Sequence, residues 1–119
     1  MTRRSVTREL ARYVVDMKYE DLSPATRKAA LEAVLDQIGI MLTGSTLPWT
    51  RPVLELARET GGRPECVIAG TDLMAPAADA AFVNAIFGHS CEFDDSAHDA
   101  ACHPGALCVP PALALGARE

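Results

Sequence analysis

Apolar residues recur at helical spacing along most of the chain, and this pattern predicts five helices. They cover approximately residues 5–18, 24–43, 50–60, 76–89 and 104–117. In the first helix, an apolar stripe through Leu10 and Val14 runs beside a charged face. Before the second helix, Ser23 can cap free backbone N–H groups, and Pro24 suits the first helical position. The pattern therefore predicts an all-α chain of about five helices.

Four features within and between these helices lead to specific expectations. Gly39 stands in the apolar end of the second helix, where its low helix propensity predicts close approach of a neighbouring backbone. Trp49 is predicted to be a packing anchor in the turn that follows. Residues 65–71 have β character but are too few to define a sheet, so they are predicted to be an extended connector. Two adjacent prolines, Pro110 and Pro111, are expected to bend or interrupt the last helix.

Composition narrows the class of protein. The chain has 119 residues, of which 49% are hydrophobic and 23% charged, which is typical of one folded domain rather than a disordered or fibrous chain. The net charge of −5 argues against nucleic acid as a partner, and the one basic cluster, Arg3, Arg4, Arg8 and Arg12, is expected to be a solvated helix face. No apolar run approaches the roughly 20 residues that cross a membrane, so no membrane partner is expected.

The cysteine pattern indicates the redox compartment. Cys66, Cys91, Cys102 and Cys108 form no CxxC pair, and the first residues do not have the charged-then-apolar pattern of a signal segment. Reduced thiols in the cytoplasm are the predicted state.

Chemistry-bearing side chains concentrate in one loop and its edges. All three histidines and several acids fall between residues 89 and 103. A histidine beside carboxylates can act as a general acid or base, because its ordinary pKa lies near working pH. His103 is the best placed, since it precedes Pro104 at an apparent helix start, where free backbone N–H groups also favour an anionic ligand.

Two other interpretations of this loop remain open from the residues alone. Asp, Ser and His are common in loops, so the acids can be solvated helix caps. Histidines and carboxylates can also bind zinc or non-haem iron, but His98 and His103 are five residues apart and match no strict ligand motif. No metal is predicted on these grounds.

The same segment resembles the MmgE/PrpD family, which includes 2-methylcitrate dehydratases and cis-aconitate decarboxylases. The residues that carry the resemblance are Ala80-Ala81-Phe82-Val83-Asn84-Ala85, His89-Ser90-Cys91-Glu92-Phe93-Asp94-Asp95-Ser96, His103-Pro104-Gly105 and Val109-Pro110-Pro111-Ala112-Leu113-Ala114-Leu115, with Leu35-Asp36, Gly39 and Gly44 upstream. The resemblance implies that residues 1–119 are the amino-terminal part of a large helical domain, without the family's lid domain. It also implies a homodimer and cofactor-free lyase chemistry on small polycarboxylates.

Carried over by position, the resemblance places catalytic residues at Glu92, Ser96 and His103. Asp94 and Asp95 are the candidates for substrate contact, although the residues alone equally allow them to cap a helix or position His103. Glu92 stands where the family more often has Asp, and Ser96 stands where Thr is frequent. These departures bear on the identity of the substrate.

Dehydration or decarboxylation of a polycarboxylate also needs cations that hold the substrate, and residues 73–117 contain no Lys or Arg. We therefore expect a truncated or split family member that is inactive alone. In the complete enzyme, the expected partners are a small polycarboxylate substrate and either further copies in a homo-oligomer or a complementing chain. The alternative is a non-catalytic helical interaction module that completes a separate chain.

Overall fold

The computed structural model describes residues 5–118, and in that range the protein is mostly α-helical. Its five α-helices are α1 (Val6–Asp16), α2 (Pro24–Gly44), α3 (Arg51–Thr60), α4 (Ala77–His89) and α5 (Pro104–Gly116). The prediction of an all-α fold with five helices is confirmed, and the predicted ends agree within about two residues. None of the helices in residues 5–118 combines the length and hydrophobicity needed to span a bilayer.

Local chemistry explains where several helices begin and end. The Ser23 hydroxyl accepts a hydrogen bond from the Thr26 backbone N–H at 3.1 Å, which satisfies one of the free donors at the start of α2. Gly61 ends α3 with a positive φ of 63°, a conformation that glycine adopts without strain. The helical backbone of α5 continues through Pro110 and Pro111, so the expected interruption is not observed.

The chain divides into two compact units, Met1–Ala30 and Leu31–Glu119. In the first unit, α1 has no buried residue, and its predicted apolar stripe is exposed, including Leu10 and Val14. After α1, the Arg27 guanidinium lies 4.3 Å from the centre of the Tyr19 ring, a cation–π contact.

The predicted basic face belongs to this first unit. Arg8 and Arg12 are exposed, as expected, whereas Arg3 and Arg4 lie outside the described residues.

The core of the second unit forms around α4. Phe87, Val83 and Ala80 of this helix are essentially fully buried, and Met41 of α2 is buried against them. The alanine-rich surface of α4 permits close contact with α2 and α5, because small side chains let helix backbones approach. The polar loop between α4 and α5 is therefore attached to the most buried helix of the unit.

The close backbone approach occurs at Gly44 rather than at Gly39. A Cβ at Gly44 would overlap the Phe87 carbonyl, whereas a Cβ at Gly39 would meet no described atom within 4 Å. The prediction for Gly39 is therefore wrong. Gly39 lies on the exposed side of α2. The low helix propensity of glycine does not show whether a neighbouring backbone faces it.

A two-stranded antiparallel sheet lies between α3 and α4, formed by β1 (Cys66–Val67) and β2 (Met74–Ala75). The prediction of a connector without a sheet is wrong, because the chain turns back within seven residues and pairs with itself. Asn84 of α4 fastens this hairpin. Its side-chain amide donates to the Val67 carbonyl at 3.0 Å, and its oxygen accepts from the Ala69 N–H at 2.8 Å.

Trp49 also differs from its prediction. Its side chain is 64% exposed and is not a core anchor. The indole Nε1 donates a hydrogen bond to the Ser90 carbonyl at 3.1 Å, at the carboxyl end of α4. Trp49 thus connects the 3₁₀ turn Pro48–Thr50 to the start of the histidine-bearing loop.

Candidate functional site

The loop between α4 and α5 is shaped by short-range hydrogen bonds and two residues with positive φ. The Ser90 hydroxyl donates to the Phe87 carbonyl at 2.9 Å as α4 ends. Glu92 and Ala101 adopt φ values of 50° and 48°, which are uncommon for residues other than glycine. Ala97 pairs with Cys102 through an isolated antiparallel bridge. These features fold the loop back so that both of its ends lie close together.

The centre of the site is a buried carboxylate between two imidazoles. The side chain of Asp94 is 0% exposed. His89 Nδ1 lies 3.1 Å from each of the two Asp94 carboxylate oxygens. His103 Nδ1 lies 3.4 Å from Asp94 Oδ2, and the two imidazole centroids are 4.6 Å apart with a 59° angle between the rings. The three side chains, which we call the His–Asp–His cluster, come from the end of α4, the loop and the residue that caps α5.

This arrangement fixes which edge of each imidazole is available. Both Nδ1 atoms face the Asp94 carboxylate, so each Nε2, on the opposite edge of its ring, points away from it. The side chains of His89 and His103 remain 47% and 36% exposed. A buried carboxylate against the Nδ1 edge of a partly exposed imidazole is a usual arrangement for a general acid or base.

Asp95 secures the start of α5. Its Oδ1 accepts a hydrogen bond from the Gly105 backbone N–H at 2.7 Å, and thereby satisfies one of the free donors in the first turn of the helix. Because Gly105 follows His103 by two residues, this bond also restrains the histidine's backbone. Contact of Asp94 and Asp95 with substrate stays a prediction.

Glu92 and Ser96, the other two predicted catalytic residues, are exposed. Within residues 5–118, neither side chain makes a hydrogen bond or ion pair with the His–Asp–His cluster, although the Glu92 backbone N–H donates to the His89 carbonyl at 3.1 Å. Ser96 Oγ instead lies 3.0 Å from His98 Nδ1, at hydrogen-bonding distance. Their catalytic roles stay predictions.

His89 is the member of the cluster that the sequence did not single out. Its place in the loop segment alone predicts no catalytic or binding role. A usable signal was present, because His89 occupies the last turn of a predicted helix only five residues before Asp94. A short turn can return the chain over that distance and place the two side chains together.

An apolar groove borders the same loop. It has a volume of about 500 Å³. Its lining residues, Leu35, Asp36, Gly39, Ile40, Thr43, Cys91 and Phe93, come from α2 and the loop. Phe93 is 81% exposed although it directly precedes the buried Asp94. The loop therefore presents an apolar side chain and a polar cluster at neighbouring positions.

Two curated proteins are similar to this chain over nearly its whole length. Cis-aconitate decarboxylase from Mus musculus is 28% identical over 116 residues, which cover 97% of this chain and 24% of that protein. The cis-aconitate decarboxylase-like protein oryM from Aspergillus oryzae is 26% identical over 110 residues, which cover 92% and 23% respectively. The chain thus spans about a quarter of the length of these relatives. No solved structure gives a significant match.

The MmgE/PrpD N-terminal domain family matches residues 8–119. This range includes the His–Asp–His cluster and all five helices except the first two residues of α1. The chain belongs to the MmgE/PrpD family, as a member of its N-terminal domain.

Proposed function

We propose that this chain supplies the histidine-bearing part of the active site of a cofactor-independent lyase that dehydrates or decarboxylates small polycarboxylates. Family membership supports the reaction class, and the two relatives named for cis-aconitate decarboxylation favour a small unsaturated tricarboxylate as substrate. The observation that carries the proposal is the burial of Asp94 against the Nδ1 edge of His103, which leaves Nε2 free to exchange a proton with a ligand.

In this proposal His103 is the general acid or base, and Asp94 contacts the Nδ1 edge of its ring at 3.4 Å. A positioned histidine of this kind typically contributes about 10²–10⁴ in rate. Glu92 and Ser96 are the proposed additional catalytic groups. Asp95 holds the first turn of α5 in place by accepting the hydrogen bond from the Gly105 N–H. Small changes in the position of such groups can cost large factors in rate, so a fixed loop is a requirement of the mechanism.

The histidine-bearing segment does not itself supply the cations that a polycarboxylate substrate needs. Residues 73–117 contain acids but no Lys or Arg, so this segment alone would repel a polyanionic substrate. We propose that the basic residues come from further parts of the complete enzyme, in a homo-oligomer or with a complementing chain, and that the 119-residue chain has no turnover alone. Four free thiols favour a cytoplasmic location.

The test uses the mouse relative as a host. Residues 8–119 of this chain replace the matching segment of that enzyme, and cis-aconitate and 2-methylcitrate are supplied as substrates. We expect turnover from the chimera, none from the isolated chain, and a loss of about 10² or more in kcat for His103→Ala in the chimera. A melting curve would show whether each protein is folded.

If the full replacement does not fold, a graft of residues 89–105 alone keeps the host scaffold and tests the same residues. Turnover that is unchanged by His103→Ala in a folded chimera or graft would refute the acid–base role. Turnover by the isolated chain would refute the proposed dependence on other polypeptide.

One observation favours the alternative, a helical interaction module without catalysis. The apolar stripe of α1 is exposed, with Val6, Leu10 and Val14 each at least 60% accessible. An apolar face of this kind needs a partner. A folded chimera that assembles to the size of the host enzyme but has no turnover, with the host's own segment as control, would support this alternative.

A further inference from the structure

We infer that Gln37 of α2 is a positioning residue for His103, through a hydrogen bond that its side-chain amide donates to the Asp95 carboxylate. The role rests on the proposed function, because it concerns the histidine that exchanges the proton. The contact itself is a property of the chain and does not depend on catalysis. Its support is a buried donor without a partner, a carboxylate beside it, and the link from that carboxylate to the start of α5.

Gln37 is a buried polar residue in the second half of α2. It is 1% exposed, and its Nε2 is buried without a hydrogen-bond partner within residues 5–118. The amide nitrogen of a glutamine carries two N–H donors, and a donor that is unpaired and away from water costs free energy. The Gln37 amide therefore needs an acceptor within its reach.

Asp95 places an acceptor beside this amide. A Cβ at Gly105 would lie 2.5 Å from Gln37 Oε1 and 2.6 Å from Asp95 Oδ1. The two oxygens therefore border the same small space and are no more than about 5 Å apart. Gly105 has no side chain to separate them. An amide N–H that donates to a carboxylate makes one of the stronger hydrogen bonds in proteins, because the acceptor is charged.

The orientation of the amide decides whether this bond forms. Nε2 occupies the place that a Cβ of Gly88 would take, and it finds no acceptor there among the described residues. A half-turn about the last side-chain torsion exchanges Nε2 and Oε1, and hydrogen bonding selects between the two orientations. The half-turn puts the donor on the side of Asp95 and removes one of two acceptor oxygens that face the same space. We therefore assign the amide to this orientation.

The contact reaches His103 through Asp95. Asp95 Oδ1 accepts a hydrogen bond from the Gly105 N–H at 2.7 Å, and Gly105 follows His103 by two residues. Asp95 is otherwise exposed, so its carboxylate needs a restraint to keep this position. A donor on α2, whose Met41 belongs to the core, supplies that restraint. Gln37 thereby ties the histidine-bearing end of α5 to the core.

The first test measures the contact in the 119-residue chain by urea unfolding. Gln37→Met keeps the length of the side chain and removes both donors, so the urea midpoint should fall by about 0.5 M or more. Asp36→Asn changes an exposed position of the same helix and is the matched control. It should leave the midpoint within about 0.2 M of the wild type.

A reversal of sign separates the contact from packing alone. At about pH 8, Gln37→Glu places a second carboxylate next to Asp95. Asp95→Asn should lower the midpoint in the wild-type background, where it weakens the acceptor. In the Gln37→Glu background it should raise the midpoint, because it removes the repulsion between the carboxylates and supplies a donor.

A lower midpoint from Asp95→Asn in both backgrounds, or no change in either, would overturn the contact. If Gln37→Glu does not fold, Gln37→Met is combined with Asp95→Ala instead. Two residues in contact should give a double variant that loses less than the two single losses together. Additive losses would then overturn the contact.

The positioning role has its own measurements. In the 119-residue chain, the ring-proton NMR signals of His103 should shift in Gln37→Met, whereas those of His98, which contacts Ser96, should stay in place. In the chimera with the mouse relative, Gln37→Met should lower kcat by about 10-fold or more and change KM by less than about threefold, because misplacement of His103 affects the chemical step.

Unchanged His103 signals, or an unchanged kcat in an active chimera, would refute the positioning role. A wild-type chimera that folds but has no turnover would count against the proposed lyase function alone. The unfolding and NMR measurements need no turnover, so they decide between contact and no contact in that case as well.

Discussion

The contact between α2 and α4 gives a sharp prediction, Gly44→Ala. The Cβ of alanine at this position would overlap the Phe87 carbonyl oxygen and lie 2.7 and 2.8 Å from two other Phe87 backbone atoms. Ordinary contacts of a Cβ are 3.4–4 Å long. Because the opposing atoms belong to the backbone, no change of rotamer can relieve the overlap, and the two helices must move apart.

The expected cost follows from two opposing terms. Overpacking by one methyl group in a tight contact costs about 1–3 kcal/mol. Alanine regains at most about 1 kcal/mol of helix propensity over glycine, and less at Gly44, which is the last residue of α2. We therefore expect Gly44→Ala to lower the free energy of unfolding by about 1–3 kcal/mol. The urea concentration at the midpoint of unfolding should fall by roughly 1 M.

Gly39→Ala is the matched control in the same helix. A Cβ there would meet no described atom within 4 Å, so only the propensity term remains, and the free energy of unfolding should rise by about 0.5–1 kcal/mol. Urea unfolding followed by circular dichroism measures both variants. Equal effects of the two substitutions, or stabilisation by Gly44→Ala, would refute the close approach of α2 and α4.

Three further substitutions test the scaffold of the site, each by the same unfolding measurement. Asn84→Ala removes both hydrogen bonds to the hairpin and should cost about 1–3 kcal/mol; a cost below about 0.5 kcal/mol would contradict this role. Asp95→Ala should cost about 1 kcal/mol through loss of the Gly105 bond, whereas Asp95→Asn, which keeps an acceptor oxygen, should cost less; the reverse order would refute the bond. Glu92→Gly should stabilise by up to about 1 kcal/mol, since glycine tolerates a φ of 50°, and destabilisation beyond that amount would contradict the backbone conformation.

The helices were predictable because their signals are local. Apolar periodicity and end signals such as Ser23 and Pro24 act within a few residues, and the structure follows them closely. Trp49 was mispredicted because residue type indicates a tendency toward burial, whereas the hydrogen bond to Ser90 depends on how two distant turns meet. The same limit applies to the site. His103 was predicted from its place before a helix, but the burial of Asp94 between two histidines depends on tertiary packing.

Gln37 of α2 lies between the two helix ends that carry His89 and His103. Among the described residues it makes no hydrogen bond or ion pair with Asp94. Gln37 of α2 is 1% exposed, and its amide occupies the space where a Cβ of either Gly88 or Gly105 would lie. Gly88 directly precedes His89, and Gly105 follows His103 by two residues, so α4 and α5 approach the same amide at their histidine-bearing ends. A side chain at either glycine would displace the buried Gln37 amide or, where the amide has no room to move, the helix end that carries the histidine. Acid–base catalysis requires groups that are positioned to fractions of an ångström, so the two glycines that leave room for the buried Gln37 amide matter to the site as well as its three polar side chains.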